Sequence, residues 1–273
     1  MIGRVDATAQ RRAMTAQEFG RAAGELWQAW SSGRHLNALP PDLRPGDLDE
    51  GYAIQRALDE LAGPPAGWKI AATSKAGQDH LGASGPMVGR LYELQRGEPG
   101  SALSVSGMRM RSAEPEFAFV LSEDLAPRSG PPSLDEVLAA VGSLVLAIEV
   151  PDSRFSDFTQ VGVPSLAADS MCGGYFIAGR SVADWRSLDL AAQPARLLSD
   201  GREVSTGSGA NVLGDPREAL RWMAGEVLGR GWPLRAGDIV LTGASAAPIA
   251  VHARDSLEAV FDGLGSVEVE FVE

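Results

Sequence analysis

Two apolar runs in this chain carry acids where a buried strand ordinarily carries none. The first is Ala113-Glu114-Pro115-Glu116-Phe117-Ala118-Phe119-Val120-Leu121, and the second is Leu144-Val145-Leu146-Ala147-Ile148-Glu149-Val150. Both have the length and apolar density of β-strands bounded by turn residues. Side chains two apart on a strand share a face, so Glu114 and Glu116 project together, with Ala118 and Val120 continuing that face. A buried charge is costly unless it is paired or binds a metal. The fold must therefore place these strands so that one face packs and the other meets a cation.

Lysine usage points to the same place. Lys69 and Lys75 are the only lysines among 24 basic residues, and Lys69 sits between Trp68 and Ile70. A chain that fills its cationic positions with arginine and keeps one lysine in apolar sequence has a use for a compact ammonium there. Two like-charged carboxylates on one face repel unless a cation lies between them or one is protonated. With Glu149 from a neighbouring strand they would form an all-oxygen ligand set. Lacking His and Cys, such a set selects a hard ion, Mg2+ or Mn2+, over Zn2+. A Glu-x-Glu spacing alone fits a solvated strand face better; the flanking Phe117, Phe119 and Leu121, together with Glu149 and Lys69, turn the reading to a site. Glu268 and Glu270, alternating with Val267, Val269 and Phe271, are read as a solvated face.

Chain organisation changes near residue 65. Before it, the signals are helical. Thr15 and Glu18 form a capping-box pattern, Phe19, Ala22, Ala23, Leu26, Trp27 and Trp30 follow helical spacing, and Gly33 ends the segment. Asp47 and Glu50 repeat the start signal ahead of a stripe of Ile54, Ala57, Leu58 and Leu61. Gly63-Pro64-Pro65 stops it. From Gly67 onward strands and turns dominate. They are broken by a helix capped at Ser133 with Glu136, a hairpin signal at Asp200-Gly201, and a helix opened by Asp215-Pro216 and closed by Gly229. The division expected is a helical part over residues 1–65 and a β-rich catalytic domain over 66–273. The class is α+β with a mixed β core.

Composition excludes several functions. The net charge of −12 argues against nucleic acid, whose binding rests on basic side chains neutralising phosphates. No apolar run approaches the ~18 residues of a membrane span. Residues 1–13 lack the apolar core of a secretory signal and read as a frayed end or packing arm, so a cytoplasmic location is expected. The lone cysteine, Cys172, cannot form an internal disulfide and reads as a buried inert thiol. Gly207-Ser208-Gly209-Ala210-Asn211-Val212 starts like a dinucleotide loop but has valine where the third glycine belongs.

Several segments together resemble one family. Gly67-Trp68-Lys69-Ile70-Ala71-Ala72-Thr73, Glu114-Pro115-Glu116-Phe117, Ala147-Ile148-Glu149-Val150-Pro151-Asp152-Ser153-Arg154, Asp238-Ile239-Val240-Leu241-Thr242-Gly243 and Asp262-Gly263-Leu264-Gly265 are similar to motifs of the 2-oxopent-4-enoate hydratase and 2-oxo-3-enedioate decarboxylase group. That group lies in the fumarylacetoacetate hydrolase superfamily. The resemblance implies a mixed β-roll behind a small helical N-terminal part, and Mg2+ or Mn2+ on Glu114, Glu116 and Glu149. It implies Lys69 as a catalytic and substrate-binding group, with Ser170 beside the substrate. The implied activity is hydration of a short 2-hydroxy-2,4-dienoate to a 4-hydroxy-2-oxo acid. Decarboxylation of a 2-oxo-3-enedioate, or carbon–carbon hydrolysis of an acylpyruvate, are the alternatives. Implied partners are the small 2-oxo acid and further copies of the chain, or a sister hydratase or decarboxylase. One departure stands out: Met87 occupies a position that is acidic in many members of the group. His35, His80 and His252 are the only histidines available to a hydrolase dyad, and each reads as a surface or satisfied residue unless His35 or His80 folds over the pocket as a lid.

Overall fold

The computed structural model describes residues 12–273; residues 1–11, including most of the segment read as a frayed end, lie outside them. The chain opens with α1 (Ala16–Ser32) and α2 (Leu48–Ala57). Thr15 caps α1 through a complete capping box with Glu18, and Gly33 ends it in the left-handed region at φ 66°. Asp47 caps α2 by accepting from the Glu50 N–H, an interaction of about 1 kcal/mol. Glu50 does not complete a second box. Its carboxylate accepts instead from the Met14 and Gly46 N–H groups, which ties the two helices' entrances together. The second apolar stripe is shorter than the spacing predicts: α2 ends at Ala57, a 3-10 turn follows over Leu58–Glu60, and Leu61 is 39% exposed.

The strands then follow: β1 (Pro65–Ala71), β2 (Met87–Tyr92) after the short helix α3 (Lys75–Leu81), β3 (Arg96–Gly97), β4 (Ala102–Ser104) and β5 (Ser112–Leu121). Helix α4 (Leu134–Ala139) leads to β6 (Val141–Val150), α5 (Val163–Ala168) to β7 (Tyr175–Ser181), and β8 (Pro194–Ser199) turns into β9 (Arg202–Ser208). Helix α6 (Pro216–Gly229) precedes β10 (Ile239–Ala244), β11 (Ile249–Ala250), β12 (Ser256–Phe261) and β13 (Gly265–Val272). The hairpin residues Asp200 and Gly201 both have positive φ, 49° and 75°, as a two-residue turn of primed type requires.

One sheet runs β2-β1-β10-β5-β6-β7-β3, with β11 added to β5; the other runs β4-β13-β12-β8-β9. All pairs in the first are antiparallel except β1 with β10 and β3 with β7. The two acid-bearing runs are β5 and β6, and alternation sorts their side chains. Phe117, Phe119, Leu121, Leu144, Leu146 and Ile148 enter the main core, where Leu257, Phe261, Val267 and Phe271 of the second sheet also lie. Phe117 and Phe261 meet edge to face at 4.8 Å, worth ~1 kcal/mol beyond area burial. The opposite face of the first sheet carries Ala118, Val145, Ala147, Ile239 and Leu241 in a smaller apolar cluster. That second face holds the acids.

The sheet must curl. β1 and β6 are separated by β10 and β5, so in a flat sheet they would stand ~14 Å apart. Yet Lys69 of β1 reaches Glu149 of β6 at 3.0 Å. Gly67 makes the start of that curl possible. Its φ is 152°, and a Cβ there would fall 1.9 Å from the Ile239 carbonyl oxygen, inside the parallel β1–β10 pairing.

Candidate metal centre

The three acids and the lysine come together beside a cavity of about 810 Å3 that Lys69, Glu114 and Glu149 line. Glu114 and Glu149 are direct cross-strand partners on β5 and β6, and Glu116 stands two residues further along β5 opposite Ala147. One carboxylate oxygen from each lies within 4.8 Å of the others. Lys69, 5% exposed, forms an ion pair with Glu149 at 3.0 Å. Glu116 Oε2 accepts from the Gly243 N–H at 2.7 Å, while its Oε1 is buried with no hydrogen-bond partner.

Electrostatics follow from that crowding. Burial, then the Glu149 charge, pushes Glu114 up to about 7, with Lys69 pulling the other way. Burial and the charges of Glu149 and Glu114 hold Glu116 well above the ordinary carboxylate range, against the Gly243 N–H. Burial alone would lower the Lys69 ammonium, but Glu149 and Glu114 outweigh it and raise it to about 12. Lys69 is thus held as an ammonium by the carboxylates around it. Three acids crowd against one ammonium, which drives Glu114 and Glu116 toward their protonated forms, and the buried Glu116 Oε1 has no hydrogen-bond partner. Both features fit a hard divalent cation.

The supporting structure is built from backbone. Gly243 has φ 115°, which glycine alone adopts at little cost, and a Cβ there would lie 2.4 Å from Thr73 Oγ1. Gly89 gives room to the Lys69 stem: a Cβ would fall 3.1 Å from Lys69 Cγ and 2.1 Å from the Ser170 carbonyl oxygen. Ser170, Met171 and Cys172 form a run of three residues at φ 49°, 51° and 60°. A buried clamp holds that run. Ser153 Oγ donates to Asp169 Oδ2 at 2.7 Å, the Arg154 guanidinium pairs with the Asp169 carboxylate, and its Nη1 donates to the Gly173 carbonyl at 2.6 Å. Asp152 accepts from the Arg109 and Met110 N–H groups and so fixes Met110 in the cavity wall.

Not every residue singled out from the sequence faces the cavity. Lys69, Glu114 and Glu149 line it, and Glu116 lies behind them. Ser170 is 2% exposed, does not line the cavity, and its Oγ has no hydrogen-bond partner. Met87 packs in the main core, so the position that is acidic in many relatives is apolar here. Cys172 is in the cavity wall, and burial raises its thiol to about 12, an unreactive state. His80 does line the cavity, on α3, edge-on to Phe158 at 5.7 Å; its place on a short exposed helix gave no periodic signal. The only histidine ion pair among the described residues is His252 with Asp255, on the surface. The glycines of the discarded nucleotide-like loop allow close backbone approach instead. A Cβ on Gly207 would fall 2.1 Å from the Ser245 oxygen, and one on Gly209 would fall 1.9 Å from that of Leu190.

Comparison with known proteins agrees with this architecture. Residues 97–272 match the fumarylacetoacetate (FAA) hydrolase C-terminal family. A 2-keto-4-pentenoate hydratase of Burkholderia vietnamiensis (strain G4 / LMG 22486) is 35% identical over 255 residues, covering 92% of this chain and 96% of the relative. A 2-hydroxyhexa-2,4-dienoate hydratase of Comamonas testosteroni is 32% identical over 268 residues, covering 95% and 100%. Among solved structures, 4-oxalocrotonate decarboxylase from Pseudomonas putida G7, complexed with magnesium and adipate, superimposes with a TM-score of 0.86 at 26% identity, covering 96% of this chain and 100% of that one. No helix among the described residues is long and apolar enough to cross a membrane. The chain belongs to the fumarylacetoacetate hydrolase family, in its group of 2-keto-4-pentenoate hydratase-like lyases.

Proposed function

We propose that this protein is a divalent-metal-dependent hydratase of a 2-hydroxy-2,4-dienoate. The observation that carries the reading is the trio Glu114, Glu116 and Glu149 beside Lys69, which pairs with Glu149 at 3.0 Å, at the wall of a cavity. The hydratase relatives support it. Glu114, Glu116 and Glu149 would hold Mg2+ or Mn2+. When bound, the ion supplies a Lewis acid for the substrate's carboxylate and 2-oxygen.

The chain's own residues do the rest. Lys69, as an ammonium, holds the substrate's carboxylate or 2-oxygen as a charge-assisted donor. The 2-hydroxyl proton leaves and C5 is protonated, which gives the 2-oxo-3-ene. Water then adds its hydroxyl at C4 and a proton at C3, giving the 4-hydroxy-2-oxo acid. With Met87 in the core, proton transfer falls to another group. His80 is the only imidazole lining the cavity among the described residues, and imidazole is the commonest side-chain proton carrier. Ser170 would act from behind, by holding the wall that Met171 and Cys172 form. Self-association of the chain, or pairing with a sister hydratase or decarboxylase, belongs to the same proposal and is read by light scattering.

The close superposition on a decarboxylase gives a second reading, loss of CO2 from a 2-oxo-3-enedioate. Product analysis by NMR separates the two. Hydration places a carbinol proton at C4 with no gas released, whereas decarboxylation of the dioate releases CO2 and yields a shorter dienol. Efficient CO2 release with no hydration of the dienol would replace the first reading with the second.

A further inference from the structure

Resting on the hydratase reading, we propose that the substrate carries an apolar group larger than methyl, a longer alkyl chain or an aryl ring, at the far end of its diene. A bare five-carbon acid or a dioate fits the cavity less well. The cavity of about 810 Å3 lies in the upper part of the ~300–1,000 Å3 range of pockets that enclose drug-sized ligands. A five-carbon dienoate held at Lys69 and the glutamates would leave most of it to water.

The chemistry of the wall says what fills the rest. It begins beside the acids, where Ala244 is the cross-strand partner of Glu116, and continues through Ala246, Ala247 and Pro248. Ala210 and Leu213 come from the connection after β9, and Met110 from the segment before β5. Short alanine side chains leave the volume open, and the loop that bears them is fixed. Asn211 Nδ2 donates to the Ser245 oxygen at 2.9 Å, Ser205 Oγ donates to the Ala247 oxygen at 2.7 Å, and Gly207 bridges Ala246. One Asn211 N–H is thereby committed to the backbone.

A second carboxylate would find poor company there. No arginine lines the cavity among the described residues. Lys69 is engaged by Glu149, and Lys75 is 79% exposed at the mouth and paired with Asp79. A dioate's distal charge would therefore lose water without gaining a buried cation, in a chain whose net charge is already −12. An apolar tail loses nothing of the kind, and each buried methylene is worth about fourfold in specificity.

The test is a substrate series with the Mg2+-loaded full chain. It comprises 2-hydroxypenta-2,4-dienoate, its C5-methyl, C5-propyl and C5-phenyl derivatives, and 2-hydroxyhexa-2,4-dienedioate. The inference expects kcat/KM to climb along the alkyl series and to stand at least tenfold higher for the phenyl compound than for the parent, with the dioate below the methyl compound. Calorimetry with the saturated acids 2-oxopentanoate and 5-phenyl-2-oxopentanoate reads tail recognition without turnover, and tighter binding of the phenyl acid is expected. Ala247→Trp, which puts bulk into the exposed wall, should cost the phenyl substrate at least tenfold more than the parent. A flat or falling series, equal binding of the two saturated acids, or an equal loss in the variant would overturn the inference and leave hydration standing. No turnover of any dienoate, with the phenyl acid still the tighter ligand, would remove the hydratase reading but keep the apolar tail site.

Discussion

Lys69 keeps its charge through opposing influences. Burial works against its charge, and Glu149 at 3.0 Å together with Glu114 more than restores it. A group held protonated up to about 12 contributes as a fixed positive charge. Removing it should therefore damage transition-state stabilisation more than binding. Lys69→Met, which keeps most of the stem, is expected to lower kcat by ~10²–10³-fold, the size of losing one oriented donor. Lys69→Arg should recover little, because the planar guanidinium is broader than the slot that Gly89 leaves beside the stem. Full activity of Lys69→Met in steady-state assays would contradict this role. Gly243 is the other residue whose chemistry is backbone. Its N–H holds Glu116 at 2.7 Å, and its φ of 115° excludes other side chains. Gly243→Ala should destabilise the protein by ~2 kcal/mol or more in urea unfolding and weaken Mg2+ binding in the same preparation. Unchanged Mg2+ affinity would show that Glu116 is not held in this way.

At the scale of elements, capping explains how the helices around the sheets start, and it makes a pH prediction. Glu18 and Glu136 each close a capping box, and hydrogen bonds hold both near 2, below the ordinary value of 4.5; those from Arg12 lead at Glu18 and those from the Ser133 N–H at Glu136. A lowered folded-state pKa means stability that is present above the unfolded value of 4.5 and lost as pH falls toward 2. Melting temperature should fall across that window, and less steeply in Glu136→Gln. An identical slope would remove the cap from the account. These signals are local, which is why Thr15, Ser133, Asp215 and the Asp200-Gly201 turn were legible in the sequence. The two acid-bearing strands were legible for the same reason, since alternation along β5 and β6 sorts Phe117 and Phe119 from Glu114 and Glu116. The curl that joins β1 to β6 and the Asp169–Arg154 clamp were not. Each joins residues far apart in sequence, and no periodicity encodes such a meeting. Leu61 misled because a 3-10 turn breaks the helical phase after Ala57.

For the whole molecule, the metal is expected to act as part of the fold. Without it, Glu114, Glu116 and Glu149 crowd one another and the first two are pushed toward their protonated forms; an ion held among them would favour all three carboxylates. A ligand that binds only the folded state stabilises it by about 2.7 kcal/mol at a hundredfold excess over Kd. Mg2+ or Mn2+ should therefore raise the melting temperature of the EDTA-treated protein, and Glu116→Gln should lose most of that rise. An equal rise in the variant would place the ion elsewhere. The acidic surface, with a net charge of −12, also predicts no retention on nucleic acid columns at moderate salt.

The most direct measurement is an ultraviolet time course with 2-hydroxypenta-2,4-dienoate, run with Mg2+ and with EDTA, for the wild type and Glu116→Gln. The account predicts loss of the dienol absorbance only for the wild type with metal, with 4-hydroxy-2-oxopentanoate as product. Turnover that survives EDTA, or that Glu116→Gln retains in full, would contradict a metal-dependent hydratase built on these three glutamates.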